Sequence, residues 1–338
     1  MTRIAILGAG SWGTALAVVL SRARNPHEIS LWARNAALAQ ALQNQRENTS
    51  YLAGVPLPAG VRASHDLPAA LAAAQIVIGA VPSVHGRTVY SQALPSFAPE
   101  MVFVSATKGL EPTTHLRMSL VLAEVLAKRG TVGPSQRIAV LSGPSFAAEA
   151  ARGEPTAVVL AAQNSATASW LQEELSGPSF RLYTNDDLLG VELAGAMKNV
   201  MAIAAGACQG LGLGSNPLAA LITRGLAEMT RVAVALGARA ETLSGLAGLG
   251  DLVLTCTGAL SRNRHVGIEL GKGRRLSDIL ASMRMVAEGV ETAAPLLALA
   301  REHGIDMPIT EQVDAILHRG KSPRDAIREI MDRPLKRE

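Results

Sequence analysis

The chain has 338 residues, of which 48% are hydrophobic and 18% charged, and its net charge is +4. This composition predicts a folded protein with room for two domains and excludes a disordered chain. Basic residues are scattered among acidic ones and only 3% of residues are aromatic, so we expect small anionic ligands and no nucleic-acid partner. Two cysteines and seven histidines without metal-ligand spacing predict a reduced, cytoplasmic protein without a metal site.

Short β-branched runs alternate with helical patterns through the first half of the chain. They predict strands at residues 3–8, 28–33, 75–82, 101–106, 137–142 and 156–161. Because helical segments separate these strands, we expect parallel pairing in a Rossmann-type, doubly wound sheet.

After about residue 190 the pattern changes to long helical segments rich in Ala, Leu and Met, with DLVLT at 251–255 as the only strand candidate. The fold class is therefore α/β, with a dinucleotide-binding domain at 1–190 followed by an all-α substrate and catalytic domain at 191–338. An apolar stretch around 199–222 is interrupted by glycines, Asn216 and Pro217, so we expect no membrane span.

The segment GAGSWG carries the first chemical motif. Gly8, Gly10 and Gly13 follow the first predicted strand in G-x-G-x-x-G spacing and precede a helical pattern. In that context the glycines let the backbone approach a pyrophosphate at the helix N-terminus, and the alternative is only a tight turn. We expect a dinucleotide cofactor.

The end of the second predicted strand distinguishes between cofactors. An NAD enzyme usually has an acidic residue there for the ribose hydroxyls, whereas LWARN offers Arg34. This favours NADP(H), with Arg34 on the 2′-phosphate and NAD(H) as a second cofactor. The alternative is a solvated surface arginine.

Ligands of an open parallel sheet lie beyond the carboxyl ends of its strands. That rule directs attention to Ser83, to Lys108 and to the segment SGPSFAAE at 142–149. Taken alone, Lys108 could be solvated, and SGPSF could be a turn in which Ser145 caps a helix.

Lys198 is the only charged residue between Glu192 and Arg224. On a helix, the residues three and four positions away are Ala194, Gly195, Met201 and Ala202, so none of them is a carboxylate partner. Lys198 is either a lysine that reaches solvent from an apolar helix or a functional ammonium group. Further along, Asp251 follows GLG and could be an N-cap, and SRNR at 261–264 predicts a helix start that could bind phosphate.

Several longer motifs occur in order along the chain: GAGSWGTALA, VPS, ATKGLE, SGPSFAAE, GAMKNVMAIAAG, LITRGLAEM, GLGDLVLTCTGALSRNRHVG, VAEGVET and MPITEQV. From Ile4 to about Lys321 the sequence resembles the bacterial NAD(P)-dependent glycerol-3-phosphate dehydrogenase family. The resemblance implies reversible reduction of dihydroxyacetone phosphate to sn-glycerol 3-phosphate for glycerophospholipid synthesis, and a homodimer. The alternatives are another two-domain reductase of the hydroxyacid type and a dinucleotide sensor without turnover.

The resemblance also implies site residues, with Lys198 as general acid and base. Besides the loop glycines, the implied cofactor contacts are Ser11, Trp12, Arg34, Lys108, Ala147, Arg262, Val286 and Glu288. The implied substrate contacts are Lys108, Gly143, Ser145, Lys198, Asp251, Ser261, Arg262 and Asn263.

Overall fold

The computed structural model describes residues 1–129, 137–335 and 337. Through Asn185 the described residues form a sheet, a small hairpin and the helices between them. The strands are β1 (Thr2–Leu7), β2 (His27–Trp32), β3 (Glu47–Asn48), β4 (Leu52–Pro56), β5 (Val61–Ser64), β6 (Ile76–Gly79), β7 (Val102–Ser105), β8 (Ile138–Ser142), β9 (Thr156–Ala162) and β10 (Phe180–Asn185). The α-helices are α1 (Ser11–Leu20), α2 (Ala36–Gln45), α3 (Leu67–Leu71), α4 (Ser83–Ala93), α5 (Met118–Ala127), α6 (Ala147–Arg152) and α7 (Ser165–Leu175).

The main sheet has eight described strands in the order β10-β9-β8-β7-β6-β1-β2-β5. Strands β5, β2, β1, β6, β7 and β8 are mutually parallel, so their carboxyl ends meet at one edge. This confirms the Rossmann-type fold class. It also brings the loop after β1, Arg34, Ser83, Lys108 and the segment after β8 to the same edge of the sheet.

Strand β9 runs antiparallel to β8, so the expectation of parallel pairing throughout was wrong at this point. The intervening helix α6 has six residues and packs against α1. Residues 143–155 therefore join two strand ends at the same sheet edge without crossing the sheet. Parallel pairing resumes between β9 and β10, where the longer helix α7 makes the crossover.

From Leu188 onward the described elements are helices. They are α8 (Leu188–Gly210), α9 (Ser215–Ala235), α10 (Ala240–Ser244), α11 (Asp251–Thr257), α12 (Arg262–Gly271), α13 (Leu276–Ser282), α14 (Glu288–Glu302), α15 (Pro308–His318) and α16 (Pro323–Met331), with a π-helical turn at Leu246–Gly250. The sheet ends at Asn185, close to the predicted boundary at 190, and that boundary stays a prediction.

The strand predicted at DLVLT was wrong, because this segment is the helix α11. Its buried residues are Asp251, Leu252, Thr255 and Cys256, which is the spacing of one helical face and not strand alternation. Five residues with three apolar members cannot by themselves distinguish the two periods.

Helix α8 is the centre of the helical half. By length and composition it is apolar enough to cross a membrane, but 89% of its most apolar 18-residue window is buried inside the protein. It packs against α9, α11, α12 and α14. Its apolar character on all sides is that of a core helix, which is consistent with the expectation that the chain has no membrane span.

A buried carboxylate fixes α8 to the sheet half. Glu192, whose side chain is 4% exposed, accepts hydrogen bonds from Ser119 N at 2.8 Å and Ser119 Oγ at 2.5 Å. It also pairs with Arg117 Nη1 at 2.7 Å. These donors lie at the N-terminus of α5, where backbone N–H groups lack helical partners and favour an anion.

We expect Glu192→Ala to lower the free energy of unfolding by about 3 kcal/mol, because Arg117 then loses the partner of a largely buried ion pair. Urea denaturation of both proteins measures the difference. The matched control is Glu28→Ala, since the Arg3–Glu28 pair is 50% and 43% exposed and contributes at most about 1 kcal/mol. Equal, small losses for the two variants would contradict the proposed anchoring role of Glu192.

Candidate active site

The glycine loop after β1 has the geometry of a dinucleotide cradle. Gly8 adopts φ +114°, and a Cβ on Gly13 would lie 1.8 Å from Gly8 O, so α1 begins directly against the strand end. A Cβ on Gly10 would meet no atom within 4 Å, which leaves open space on the cofactor side of the loop. The buried indole Nε1 of Trp12 has no hydrogen-bond partner among the described residues. These features fit a bound pyrophosphate that needs close backbone approach and N–H donors.

The loop is supported from behind by Asn48, a residue that the sequence interpretation did not include. The Asn48 side chain is fully buried, and its Nδ2 donates to Ala9 O at 3.0 Å and to Thr14 Oγ1 at 2.7 Å. Asn48 lies in the short hairpin β3–β4, which has no signal of its own in the sequence. It fixes the conformation of the loop peptide from the side opposite the cradle.

Arg34 is exposed and follows Ala33 beyond the end of β2. The structure brings it to the same sheet edge as the glycine loop, because β1 and β2 are parallel neighbours. Among the residues that the structure describes, no carboxylate forms a salt bridge with it. The neighbouring Asn35 caps α2 through a bond from Leu38 N at 3.0 Å, which orders the start of that helix.

Two lysines from different halves of the chain share one buried carboxylate. Lys108, in the loop after β7, donates to Asp251 Oδ2 at 2.8 Å. Lys198, in α8, pairs with the other oxygen, Asp251 Oδ1. The Asp251 side chain is 1% exposed and that of Lys198 is 8% exposed, so Lys198 does not extend into solvent. Asp251 is the first residue of α11 and makes no N-cap bond, so its role lies in this ion cluster.

The remaining donors of the two ammonium groups differ. Lys108 Nζ also donates to Gly143 O at 2.8 Å and Ser145 Oγ at 3.2 Å, so its three N–H groups are all used. Lys198 Nζ donates to Thr255 Oγ1 at 2.9 Å in addition to Asp251. Its third N–H has no acceptor among the described residues and remains for a ligand oxygen.

Burial and charge determine the protonation of this cluster. Burial lowers the pKa of Lys198 to about 7, with Lys108 adding repulsion and Asp251 opposing both. Burial alone would raise the pKa of Asp251, but the two ammonium groups outweigh it and the pKa is lowered. The site therefore holds a permanent carboxylate beside an amine that can gain or lose a proton near neutral pH.

A line of amide hydrogen bonds runs from the lysines to the start of α14. Asn199 Nδ2 donates to Lys108 O at 2.8 Å, and Asn263 Nδ2 donates to Asn199 Oδ1 at 2.9 Å. Asn263 Oδ1 in turn accepts from Gly289 N at 2.9 Å. These bonds therefore fix the positions of the loop after β7 and of helices α8, α12 and α14 relative to one another.

A second carboxylate connects the two halves across the cleft. Glu288, at the start of α14, accepts from Ser83 N at 3.0 Å and Ser83 Oγ at 2.5 Å at the N-terminus of α4. Burial raises the pKa of Glu288, although Ser83 and the nearby Arg262 act in the opposite direction. Arg262 is the exposed first residue of α12, and Ser261 caps that helix through a bond from Arg264 N at 3.2 Å.

The structure brings most of the predicted site residues together, in two groups. Around Asp251 lie Lys108, Gly143, Ser145 and Lys198. Around the amide line and the start of α14 lie Asn263, Glu288 and Arg262. The half-buried Ala147 begins α6, and the half-buried Val286 precedes α14. Both side chains are apolar, so no side-chain hydrogen bond joins them to these groups. Ser145 does not cap α6, because its Oγ donates to Gly143 O at 2.9 Å.

Thr255 and Asn199 belong to the site and were missed in the sequence. Thr255 Oγ1 donates to Asp251 O at 2.5 Å while it accepts from Lys198, so it orients the ammonium. Its only sequence signal is the spacing of four residues from Asp251 on one helix face. Asn199 follows Lys198 directly, and a neutral amide in an apolar helix could have been noticed as a buried polar group that needs partners.

The arrangement supports proton transfer to or from a ligand oxygen at Lys198, next to a dinucleotide cradle. Among the described residues no group of three or more His, Cys, Asp or Glu side chains could hold a metal ion. The cluster of two ammonium groups and one carboxylate leaves a net positive charge, and Arg262 adds a guanidinium close by. The site is therefore suited to an anionic ligand that exchanges a proton with Lys198.

Comparison with known proteins assigns both halves of the chain to one family. A family model described as the NAD-dependent glycerol-3-phosphate dehydrogenase N-terminus matches residues 3–168, and the corresponding C-terminus model matches residues 187–328. A relative from Koribacter versatilis, named glycerol-3-phosphate dehydrogenase [NAD(P)+], is 55% identical over 335 residues, which cover 99% of this chain and 98% of the relative.

Solved structures show the same likeness. The crystal structure of glycerol-3-phosphate dehydrogenase from Coxiella burnetii superposes with a TM-score of 0.92 at 42% identity and covers 98% of this chain and 99% of that chain. A D-mandelate dehydrogenase complex with NADH has a TM-score of 0.62 at 14% identity, over 96% of this chain and 100% of that chain. At that identity the second likeness shows a shared fold alone.

Proposed function

The chain belongs to the NAD-dependent glycerol-3-phosphate dehydrogenase family, and on that premise we propose how its own residues carry out the reaction. The activity is reversible, NAD(P)H-dependent reduction of dihydroxyacetone phosphate to sn-glycerol 3-phosphate, which serves glycerophospholipid synthesis. The alternative of a hydroxyacid-type reductase rests on fold alone, and a sensor without turnover has no use for the lysine cluster. When bound, the reduced nicotinamide supplies the hydride.

Lys198 is the general acid of the reduction. As the substrate carbonyl is reduced, negative charge develops on its oxygen, and the free N–H of Lys198 is available to donate to that oxygen. In the oxidative direction the neutral amine takes the proton from the alcohol. The single observation that carries this assignment is a buried ammonium group, held by Asp251 and Thr255, with one N–H that has no acceptor among the described residues.

Lys108 and Asp251 hold Lys198 in place, and the positive charge of Lys108 favours negative charge on the substrate carbonyl oxygen. Lys108 has no unused N–H, so it acts as a fixed positive charge and as a brace between β7, β8 and α11. Asp251 keeps Lys198 oriented and prevents repulsion between the two ammonium groups from separating them. Thr255 completes the orientation of Lys198 from the next turn of α11.

The pH dependence of the two directions should be opposite. Because Lys198 must be protonated for reduction, kcat/KM for dihydroxyacetone phosphate should fall about tenfold per pH unit above its pKa of about 7. Oxidation of glycerol 3-phosphate needs the neutral amine, so its kcat/KM should rise with pH and become level above about 7. Steady-state assays at 340 nm from pH 5.5 to 9.5 in both directions measure the two profiles.

The control for this profile is Lys198→Arg, which keeps the charge but cannot lose its proton near neutral pH. Its residual reduction should lack the decline above pH 7. The substrate phosphate also titrates near pH 6, but this affects both proteins equally. Comparison of the two profiles therefore separates its effect from that of Lys198. A decline at the same pH in the variant would assign the ionisation to another group.

Arg34 determines the cofactor preference. It is exposed beside the cradle, without a salt bridge in the described chain, so its guanidinium is available to a 2′-phosphate. The preference for NADP(H), with NAD(H) also accepted, is the part of the cofactor assignment that rests on this residue. The residues of the cradle itself, Gly8, Gly10, Ser11, Trp12 and Gly13, serve either dinucleotide.

We expect Arg34→Ala to weaken NADPH binding roughly ten- to a hundredfold, because a charge-assisted hydrogen bond contributes about 1.5–3 kcal/mol. NADH binding should change less than about twofold. Fluorescence titration of each cofactor gives the dissociation constants. Arg181→Ala is the control, since Arg181 is also exposed but lies on β10 at the far end of the sheet. Equal losses for both cofactors would place Arg34 away from the 2′-phosphate.

The N-terminus of α12 binds the substrate phosphate. Arg262 offers a guanidinium, Asn263 an amide that is fixed by Asn199, and the first turn of the helix its backbone N–H groups. Ser261 contributes as the cap that orders this turn. Gly143 and Ser145 line the opposite side through their bonds with Lys108.

Removal of the guanidinium should affect binding of the phosphorylated substrate. We expect Arg262→Ala to raise KM for dihydroxyacetone phosphate ten- to a hundredfold at saturating NADPH, because charged hydrogen bonds of about 1.5–3 kcal/mol are lost in ground and transition states alike. Unphosphorylated dihydroxyacetone should be a poor substrate that loses little further. Arg264→Ala is the control for loss of one positive charge from the segment SRNR, since Arg264 Nη1 donates to Gly258 O at 3.3 Å. Equal loss for both substrates would show that the contact is not with phosphate.

We also propose that the enzyme is a cytoplasmic homodimer. Support for the dimer comes from helix α9, whose outward groove is lined by Leu226, Ala227, Val234 and Ala235 together with Thr223, Thr230 and Arg231, with Val234 47% exposed. A second copy would cover the apolar part of this groove. Support for the cytoplasm comes from two cysteines, Cys208 and Cys256, that are both free and therefore suited to a reducing compartment.

A further inference from the structure

Helices α8 and α12 touch through four glycines, which we call the glycine contact. Gly206 and Gly210 of α8 are four residues apart, and so are Gly267 and Gly271 of α12. A Cβ on Gly206 would lie 2.0 Å from Arg264 O, and one on Gly267 would lie 2.0 Å from Ile203 O. Gly210 and Gly271 would meet backbone oxygens of the other helix at 2.2 and 2.6 Å.

The obstructing atoms are backbone, so they cannot move without moving the helix. A carbon in ordinary contact needs about 3.5 Å, so the deficit is more than 1 Å at Gly206, Gly210 and Gly267 and about 0.9 Å at Gly271. Adding one methyl group would therefore separate the two helix axes by roughly 1 Å. The contact is closer than helices with larger residues allow, as in the small-residue pairs of membrane helices.

These two helices carry the two ends of the site. Helix α8 bears Lys198, at the carbonyl end, two turns before Gly206. Helix α12 begins with Arg262 and Asn263, at the phosphate end, one turn before Gly267. Both helices run in the same direction through the contact, because Ile203 lies against Gly267 and Gly210 against Gly271. A displacement of α12 from α8 therefore moves the phosphate ligands away from the ammonium group.

We propose that the glycine contact sets the distance between Lys198 and the phosphate ligands and so selects substrates by the number of carbons between carbonyl and phosphate. The proposal rests on the role of Arg262 given above. The hydrogen bond from Asn263 to Asn199 at 2.9 Å joins the same two helices. It restricts variation in the distance between Lys198 and the phosphate ligands. Gly206, Gly210, Gly267 and Gly271 face the backbone of the other helix and act as positioning residues.

The test is Gly267→Ala with two substrates. One is dihydroxyacetone phosphate, and the other is 1,4-dihydroxybutan-2-one 4-phosphate, whose extra carbon adds a bond of about 1.5 Å between carbonyl and phosphate. We expect kcat/KM for dihydroxyacetone phosphate to fall about a hundredfold, which is the effect of a displacement of about 1 Å in a site. The longer substrate should lose much less, so the ratio of the two kcat/KM values should change at least tenfold in its favour.

Two further variants separate positioning from general damage. Gly225→Ala adds a methyl group to a helical glycine of the same half, but against the flexible side chain of Met201 at 3.1 Å, and should leave the ratio unchanged. Gly271→Ala has the smallest deficit of the four and should change the ratio in the same direction by a smaller factor. If Gly267→Ala does not fold, as judged by thermal melting, Gly271→Ala decides the question.

The dissociation constant of NADPH should change far less than kcat/KM, because the glycine loop of the cradle lies outside both helices and Arg262 is the one implied cofactor contact on them. Equal losses for the two substrates would overturn the proposal and leave the glycines a role in stability alone. Arg262→Ala distinguishes this failure from failure of the phosphate assignment, since the assignment stands if that variant raises KM for dihydroxyacetone phosphate whatever the glycine variants do.

Discussion

The buried carboxylate of Asp251 is the interaction on which the rest of the site depends. Transfer of one carboxylate and two ammonium groups out of water costs several kcal/mol for each ion, and mutual attraction offsets this only with good geometry. The geometry comes from three distant parts of the chain, because Lys108 precedes Asp251 by 143 residues and Lys198 precedes it by 53. The sheet edge, α8 and α11 must all be in place before the charges are neutralised, so the ion cluster and the joining of the two halves form together.

The same cluster explains why one lysine is suited to proton transfer and the other is not. Lys108 is held by a carbonyl, a hydroxyl and a carboxylate, whereas Lys198 has a threonine, the carboxylate and an apolar surrounding. Burial lowers the pKa of Lys198 to about 7, and the charge of Lys108 lowers it further. The two side chains are chemically identical, but among the described residues only Lys198 has an N–H without an acceptor.

The sequence identifies features that depend on local spacing. The glycine loop, the strands β1, β2, β6, β7, β8 and β9 and the helix start at Ser261 follow from contiguous patterns, and the resemblance to a family supplied the order of the longer motifs. Features that depend on distant partners could not be predicted in this way. The absence of a carboxylate near Lys198 in sequence did not indicate that Asp251 would reach it in space. The antiparallel turn into β9 depends on α6 packing against α1, and the assignment of 251–255 as a helix depends on burial of one face, which five residues do not reveal.

Helix α8 also has a consequence for synthesis of the chain on the ribosome. Residues 188–210 are largely apolar and buried, and the helices that pack against them extend to His318, about 110 residues later. At roughly 5–20 residues per second, this segment waits about 5–20 seconds for its last partner. Early in that interval it is a nascent hydrophobic segment with the length of a membrane anchor, and the sheet half is the part of the protein that is already complete. We therefore expect chaperones of nascent chains to bind at α8, the long core helix of the helical half.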